Sequence, residues 1–430
     1  MLPIRLLSCF LLPAISLLGE KGKAVSFHRD IVPILQKNCQ ECHRPGEAAP
    51  MALLSYRDVR PWARAIRESV LSRRMPPWFA DPAVGKFENT RRLLNSEIET
   101  ISAWAAAGAP EGDPKDAPPP RKFAEGWRIG EPDVVFELPN PVDVPAAGTV
   151  DYTYVIVPTG FLEDKWVALS EARPDARTVV HHIIAFVREP KSKWFREYPV
   201  GVPFVPKKGG SEDGGQFLSG YAPGTPPEEF NPGEAKLIKA GSDIVFQLHY
   251  TANGKPAVDR SRLGLVFAKE PPRRRVLTLA ASDKEFVIPP GAPNHRVEGS
   301  FTLYADSELI GLLPHMHLRG KAMEMRAVYP SGEVEKLLWV PRYDFNWQLG
   351  YKLDRPKFLP KGTRIEASGY FDNSPNNKSN PDPSAEVRYG DQSWEEMMIG
   401  FFWVSIPAQM NPADLFRAPK KAHQPSSGAE

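Results

Sequence analysis

Two patterns of apolar positions divide this chain. From residue 25 to residue 112 they recur at helical spacing and predict a short helix over Phe27–Gln36 and a longer one over Asn95–Ala107. Beyond Gly108–Arg121, a stretch rich in proline, glycine and charge, the pattern changes. Short runs of Val, Ile, Phe and Tyr bounded by proline and glycine recur to about residue 410 and read as strands. A seam at Glu270-Pro271-Pro272-Arg273-Arg274-Arg275 divides this region, and a weak repeat relates its halves. Gly241-Ser242-Asp243-Ile244 leads to His249-Tyr250 at the same spacing as Gly362-Thr363-Arg364-Ile365 leads to Tyr370-Phe371. The expected architecture is multidomain: a small all-α unit over 25–112, a linker over 113–131, then two tandem antiparallel β-sandwiches of jelly-roll type over 132–272 and 273–412. A polar tail over 413–430 follows.

Met1 to about Gly19 carries one early cation, Arg5, and an apolar run broken by Pro13, shorter than the ~20 residues that span a bilayer. It reads as a secretory signal over 1–24, so the mature chain is expected to be exported, periplasmic or extracellular, with no transmembrane segment. At 430 residues the chain is too long for one core. Lys and Arg number 54 against 52 Asp and Glu, a net charge of +2 with no sustained basic run, which argues against nucleic acid as a partner. Of three cysteines, Cys9 lies in the leader, so Cys39 and Cys42 alone remain and no disulfide framework is expected.

Those two cysteines carry the sharpest local signal. Cys39-Gln40-Glu41-Cys42-His43 is a C-x-x-C-H motif, in which both thiols can join haem vinyl groups within one turn while His43 serves as proximal iron ligand. A zinc site would want further Cys or His ligands at suitable spacing, and none is present; a redox disulfide is the other reading. Met75, in Arg73-Arg74-Met75-Pro76-Pro77-Trp78, is the preferred distal ligand because the prolines set an extended loop, with Met51 as the second candidate. The unit resembles a small class I cytochrome c, which implies one covalent haem c.

The strand region holds three histidine groups. His315 and His317 lie two residues apart, so an extended strand presents both imidazoles on one face. His181 and His182 are adjacent and would face opposite ways on a regular strand; both reach one metal only if the backbone bends or the rings use different nitrogens. His249 closes the apolar run Ile244–Leu248 and is the natural third ligand for that pair. No spare histidine completes His315/His317. Met397 or Met398 could supply a thioether, which favours copper(I) over zinc, although both also read as core residues.

His181-His182, Gln247-x-His249-Tyr250, His315-x-His317 and Glu396-Met397, in this order, resemble the copper type II monooxygenases, the group of peptidylglycine alpha-hydroxylating and dopamine beta-monooxygenases. The resemblance covers roughly residues 132 to 410. It implies an electron-passing copper on His181, His182 and His249 and an oxygen-binding catalytic copper on His315, His317 and Met397. It also implies ascorbate as a reductant, O2 and a small-molecule substrate as partners, and hydroxylation of a C–H bond. A redox partner protein would be an additional donor. This chain departs from the family in lacking its disulfides, in having Leu313 where the amidating members place an arginine, and Phe401 where they place a tyrosine. The last two departures argue against peptide amidation. A haem and copper electron-transfer or copper-handling protein is the alternative expectation from a different class.

Overall fold

The computed structural model describes residues 24–47, 49–207 and 215–416. The expected signal and the polar tail lie outside them, apart from residue 24 and residues 413–416. The described chain is mostly β-structure behind a small helical N-terminal part. No helix among these residues is long and apolar enough to cross a membrane.

The N-terminal part opens with a π-helical turn, Phe27–Ile31, that runs into α1 (Val32–Asn38). It continues through α2 (Tyr56–Val59), α3 (Ala63–Leu71) and α4 (Asn95–Ala106). Ser55 caps α2 by accepting the Asp58 N–H while the Asp58 carboxylate accepts the Ser55 N–H, so the short helix starts with both orphan donors satisfied. Phe27, Leu35, Ile101 and Trp104 fill the common core. Two buried polar groups bind the exit of α4: the Trp104 indole donates to the Pro110 carbonyl at 3.0 Å and the Tyr56 hydroxyl to the Ala109 carbonyl at 2.8 Å.

The principal strands that follow are β1 (Val134–Glu137), β2 (Thr153–Pro158), β3 (Lys165–Arg173), β4 (Val180–Arg188), β5 (Gly215–Tyr221), β6 (Glu234–Ile238), β7 (Asp243–Tyr250) and β8 (Arg262–Phe267). They form two layers, in order β2-β7-β4-β5 and β1-β8-β3-β6, which enclose one apolar core. A second set comprises β9 (Arg274–Ser282), β10 (His295–Thr302), β11 (Ser307–His315), β12 (Gly320–Val328), β13 (Val334–Val340), β14 (Tyr351–Leu359), β15 (Arg364–Phe371) and β16 (Ile399–Pro407). Here the layers run β10-β15-β12-β13 and β9-β16-β11-β14 around a second core. The related segments of the sequence repeat become β7 and β15, each entered through a glycine at positive φ, Gly241 and Gly362.

The two halves are joined by more than the seam. β6 pairs in parallel with β9, Glu234 opposite Arg274 and Ala235 opposite Arg275, so one layer of the first half runs on into the second half, whose two layers also meet at the Ser282–Ser300 pair of β9 and β10. The linker is fastened as well. Arg121 bonds Glu41 at 2.7 Å and the Gln36 carbonyl at 2.9 Å, and the Gln36 amide donates to the Pro119 carbonyl. Gly108 to Arg121, read from composition as a tether, is thus laid along the helical part by its own charges.

Candidate metal centres and the cavity between them

The local chain at His181 and His182 answers the geometric question raised by their adjacency. On β4, Val180 pairs with Tyr250 and His182 with His249, and the register shifts between them, which makes His181 the extra residue of a β-bulge. Val180 and Ile183 therefore both enter the first core, while His181 and His182 are left for the opposite face. β7 alternates without interruption: Ile244, Phe246, Leu248 and Tyr250 pack inward, and Val245, Gln247 and His249 face the other way. The ring centroids of His249 lie 4.9 Å from those of both His181 and His182. One nitrogen from each of the three comes within 4.8 Å of the others, the spacing a single metal ion would close.

The hydrogen bonds sort the nitrogens. Gln247 bonds the His182 ring and leaves its Nε2 without a partner. Ser393 lies 3.2 Å from His249 Nε2, and His249 Nδ1 has no partner. Neither nitrogen of His181 has one. Tyr152 packs against His249 and His182 at 4.4 and 5.2 Å. Buried imidazole nitrogens without partners are costly, and three converging on one point fit a metal that would accept their lone pairs.

His315 ends β11 and His317 lies two residues on, their rings 5.2 Å apart. His315 Nδ1 meets Gln348 Oε1 at 2.6 Å, and His317 Nδ1 meets the Glu395 carbonyl at 3.2 Å. Both partners are oxygens, so each ring donates from Nδ1 and keeps the lone pair on Nε2. The turn that follows His317 is held by the buried Glu396 carboxyl, which accepts the His317 N–H at 2.8 Å and the Arg319 N–H at 2.6 Å. Burial pushes that carboxyl up to about 8 against the pull of these donors and of Arg319.

Met397 and Met398 separate cleanly. Met398 is wholly buried in the second core against Gly369, whereas Met397 lines a cavity of about 530 Å³ together with His315 and His182. The same alternation continues along β16, with Phe402 and Val404 inside the core and Ile399, Phe401 and Trp403 on the cavity wall. Gly350 makes room for Trp403, since a Cβ there would stand 2.6 Å from the indole. The cavity lies between the two halves, and Phe345 crosses from one histidine group to the other. It stacks on His181 at 4.7 Å and lies 6.0 Å from His317. Gln348, Phe345 and Ser393 carried no signal in the sequence, because each sits in a connection between strands.

Burial drives every one of these imidazoles toward the neutral form. His181 and His315 are each pushed down to about 4 and His317 to about 3, while His182 and His249 fall well below the usual range. A neutral ring is the form that ligates.

In the helical part, Cys39 and Cys42 are free and partly buried, and burial pushes Cys39 up to about 12. His43 Nδ1 lies 3.1 Å from the Met51 carbonyl, which holds the ring. Met51 therefore sits beside His43. Met75 lines a separate cavity of about 170 Å³ with Val70, Leu93 and Ile98.

The helical part straddles both halves. Glu47, near the C-x-x-C-H motif, pairs with Arg177 at 3.0 Å. On the other side the α3–α4 connection adds itself to the free edge of β14: Phe87 bridges Leu353, Glu88 N–H donates to the Lys352 carbonyl and Asp354 N–H to the Lys86 carbonyl. Glu88 and Asn89 themselves line the large cavity.

No known family model matches this chain, and no curated protein matches it significantly. Matching solved structures include that of infectious bursal disease virus Gx strain, at 10% identity and TM-score 0.19 over 66% of this chain and 75% of that one. The VP2 subviral particle of the same virus matches at 9% identity and TM-score 0.19, over 66% and 74%. Similarity at that level carries no argument about this protein.

Proposed function

We propose that this is an exported copper-dependent monooxygenase that hydroxylates a C–H bond of a small organic substrate with O2 and takes its electrons through a covalent c-type haem. The reading includes the finer fold: a cytochrome c-like unit ahead of two jelly-roll-like sandwiches. One observation carries it, namely a single cavity bordered by His182 on one side and by His315 and Met397 on the other. An electron carrier needs no such chamber. Copper bound by His181/His182/His249 and by His315/His317/Met397 would supply one-electron transfer and oxygen activation, and haem held by Cys39, Cys42, His43 and Met75 a one-electron donor.

The chain's own residues perform the rest. Gln348 and the Glu395 carbonyl hold the tautomers that turn Nε2 of His315 and His317 outward. Glu396 fixes the turn that follows His317. The apolar wall of Ile399, Phe401 and Trp403 excludes water and can hold a C–H bond against the His315/Met397 side. Met51, which lies beside the proximal histidine, is the poorer choice of distal ligand.

The test is metal analysis followed by a redox experiment. Purified protein should hold two coppers and one covalent haem. With the haem reduced and no ascorbate present, oxygen should reoxidise it faster in the copper-loaded protein than in a variant lacking His181 and His182. Zinc at both sites, or equal reoxidation rates, would sink the proposal.

A further inference from the structure

The wall of the large cavity says what kind of molecule it takes. Ile184, Phe217, Leu279, Leu313, Phe401 and Trp403 make most of it apolar. Its volume of about 530 Å³ falls within the range of sites for small organic ligands. The charged groups around it are engaged with one another or with solvent. Lys352 bonds Glu88 at 2.8 Å, Glu228 faces the Lys236 ammonium at 3.7 Å, Lys284 lies over the Tyr389 ring, and Glu229 is exposed. Among the described residues that line the cavity, the lysines Lys284 and Lys352 each already face a partner, and the apolar Leu313 lies two residues from His315.

One polar group is left over. The Gln348 side chain is more than nine-tenths buried; its Oε1 is taken by His315, and its Nε2 has no partner although the residue lines the cavity. Thr278 Oγ1, on the same wall, is also without a partner. A buried amide N–H2 next to the His315 ring has no acceptor within the described chain and is left to one that a water or a ligand brings.

We infer that the substrate is an uncharged, largely apolar molecule bearing one oxygen acceptor, a carbonyl, ether or hydroxyl, which the Gln348 amide holds beside His315. This rests on the monooxygenase reading for its consequence but not for its test. Once metal is removed, a carboxylate in this cavity would be desolvated without a counter-ion and is rejected. A plain hydrocarbon fits but leaves the amide unpaired.

Three probes of one shape separate the terms: acetylnaphthalene, naphthoate and ethylnaphthalene. Each is titrated into the full-length protein under argon, as purified and again after chelation of metal, with Trp403 as a fluorescent reporter and calorimetry as the control. Acetylnaphthalene should bind at least about tenfold more tightly than naphthoate and about fivefold more tightly than ethylnaphthalene. Gln348→Met should erase the second margin and keep the first. Leu313→Arg should raise naphthoate to the level of the ketone; if that variant does not fold, the wild-type series and Gln348→Met decide. Equal or tighter binding of naphthoate, no binding by any probe, or a ketone preference that survives Gln348→Met would overturn the inference. Because the chelated protein holds no copper and argon excludes oxygen, failure of the monooxygenase reading would leave the outcome of that titration intact.

Discussion

Met397 and Met398 differ by one position along the chain and by a whole environment in space. Met398→Ile forces a branched side chain into a filled core against Gly369 and should cost about 1–2 kcal/mol in urea unfolding while copper is retained. Met397→Ile should leave the unfolding midpoint nearly unchanged and weaken cuprous binding, measured by competition with a copper(I) chelator. The reverse result would move the ligand by one residue. The histidines make a second residue-scale prediction for the metal-free protein. Folded His181 and His315 titrate near 4 and His317 near 3, below the 6.5 of an unconstrained ring, so between those values the unfolded chain binds more protons. Stability is full above about pH 6.5 and falls as pH drops toward 4, at about 1.4 kcal/mol per pH unit for each such ring. Urea unfolding at pH 7, 6 and 5 should show the fall, and copper should shift it to lower pH. A flat profile would mean that the rings remain solvated.

At the scale of elements, two departures from regularity place the chemistry. The bulge at His181 turns an adjacent pair that should diverge into two rings on one face. The α3–α4 connection pairs with the β14 edge, covering backbone groups that an edge strand would otherwise expose. Asn89 anchors that pairing, donating to the Gly350 carbonyl at 2.8 Å and accepting the Lys352 N–H at 3.1 Å. Asn89→Ala should therefore cost about 1–2 kcal/mol and speed proteolytic cleavage between α3 and α4. Unchanged cleavage would show that Phe87 and the neighbouring backbone bonds suffice without it.

At the scale of the whole molecule, the two histidine groups come from different halves yet meet at one cavity, with Phe345 and Ser393 reaching across. The ligands remain separable, because each set hangs on its own strands. His249→Ala should lower copper from two ions per chain to one, with the remaining ion spectroscopically that of the His315/His317 group. Loss of both ions would make the groups a single coupled centre. The helical part contributes Glu88 and Asn89 to the cavity wall, so its attachment to β14 shapes the chamber.

Local chemistry made a good deal legible in the chain itself. Periodicity placed the first and last helices of the helical part to within a few residues, at Phe27–Asn38 and Asn95–Ala106, but not the helices Tyr56–Val59 and Ala63–Leu71; β7 and β15 were visible as apolar runs behind a glycine turn. The histidine groups and their order were equally plain, because residue type and spacing of two need no tertiary information. What the sequence could not contain was the bulge that brings His181 and His182 to one side, since a slipped register depends on pairing with a strand some seventy positions away. Residue type and spacing alone left Met397 and Met398 open, and only the resemblance preferred Met397; nor could the sequence place Gln348 against His315, or show that Gly108–Arg121 is held by Glu41 and Gln36. Those are decisions of packing: burial of one face against a particular neighbour determines which side chain is core and which lines the cavity, and only the assembled layers supply that neighbour.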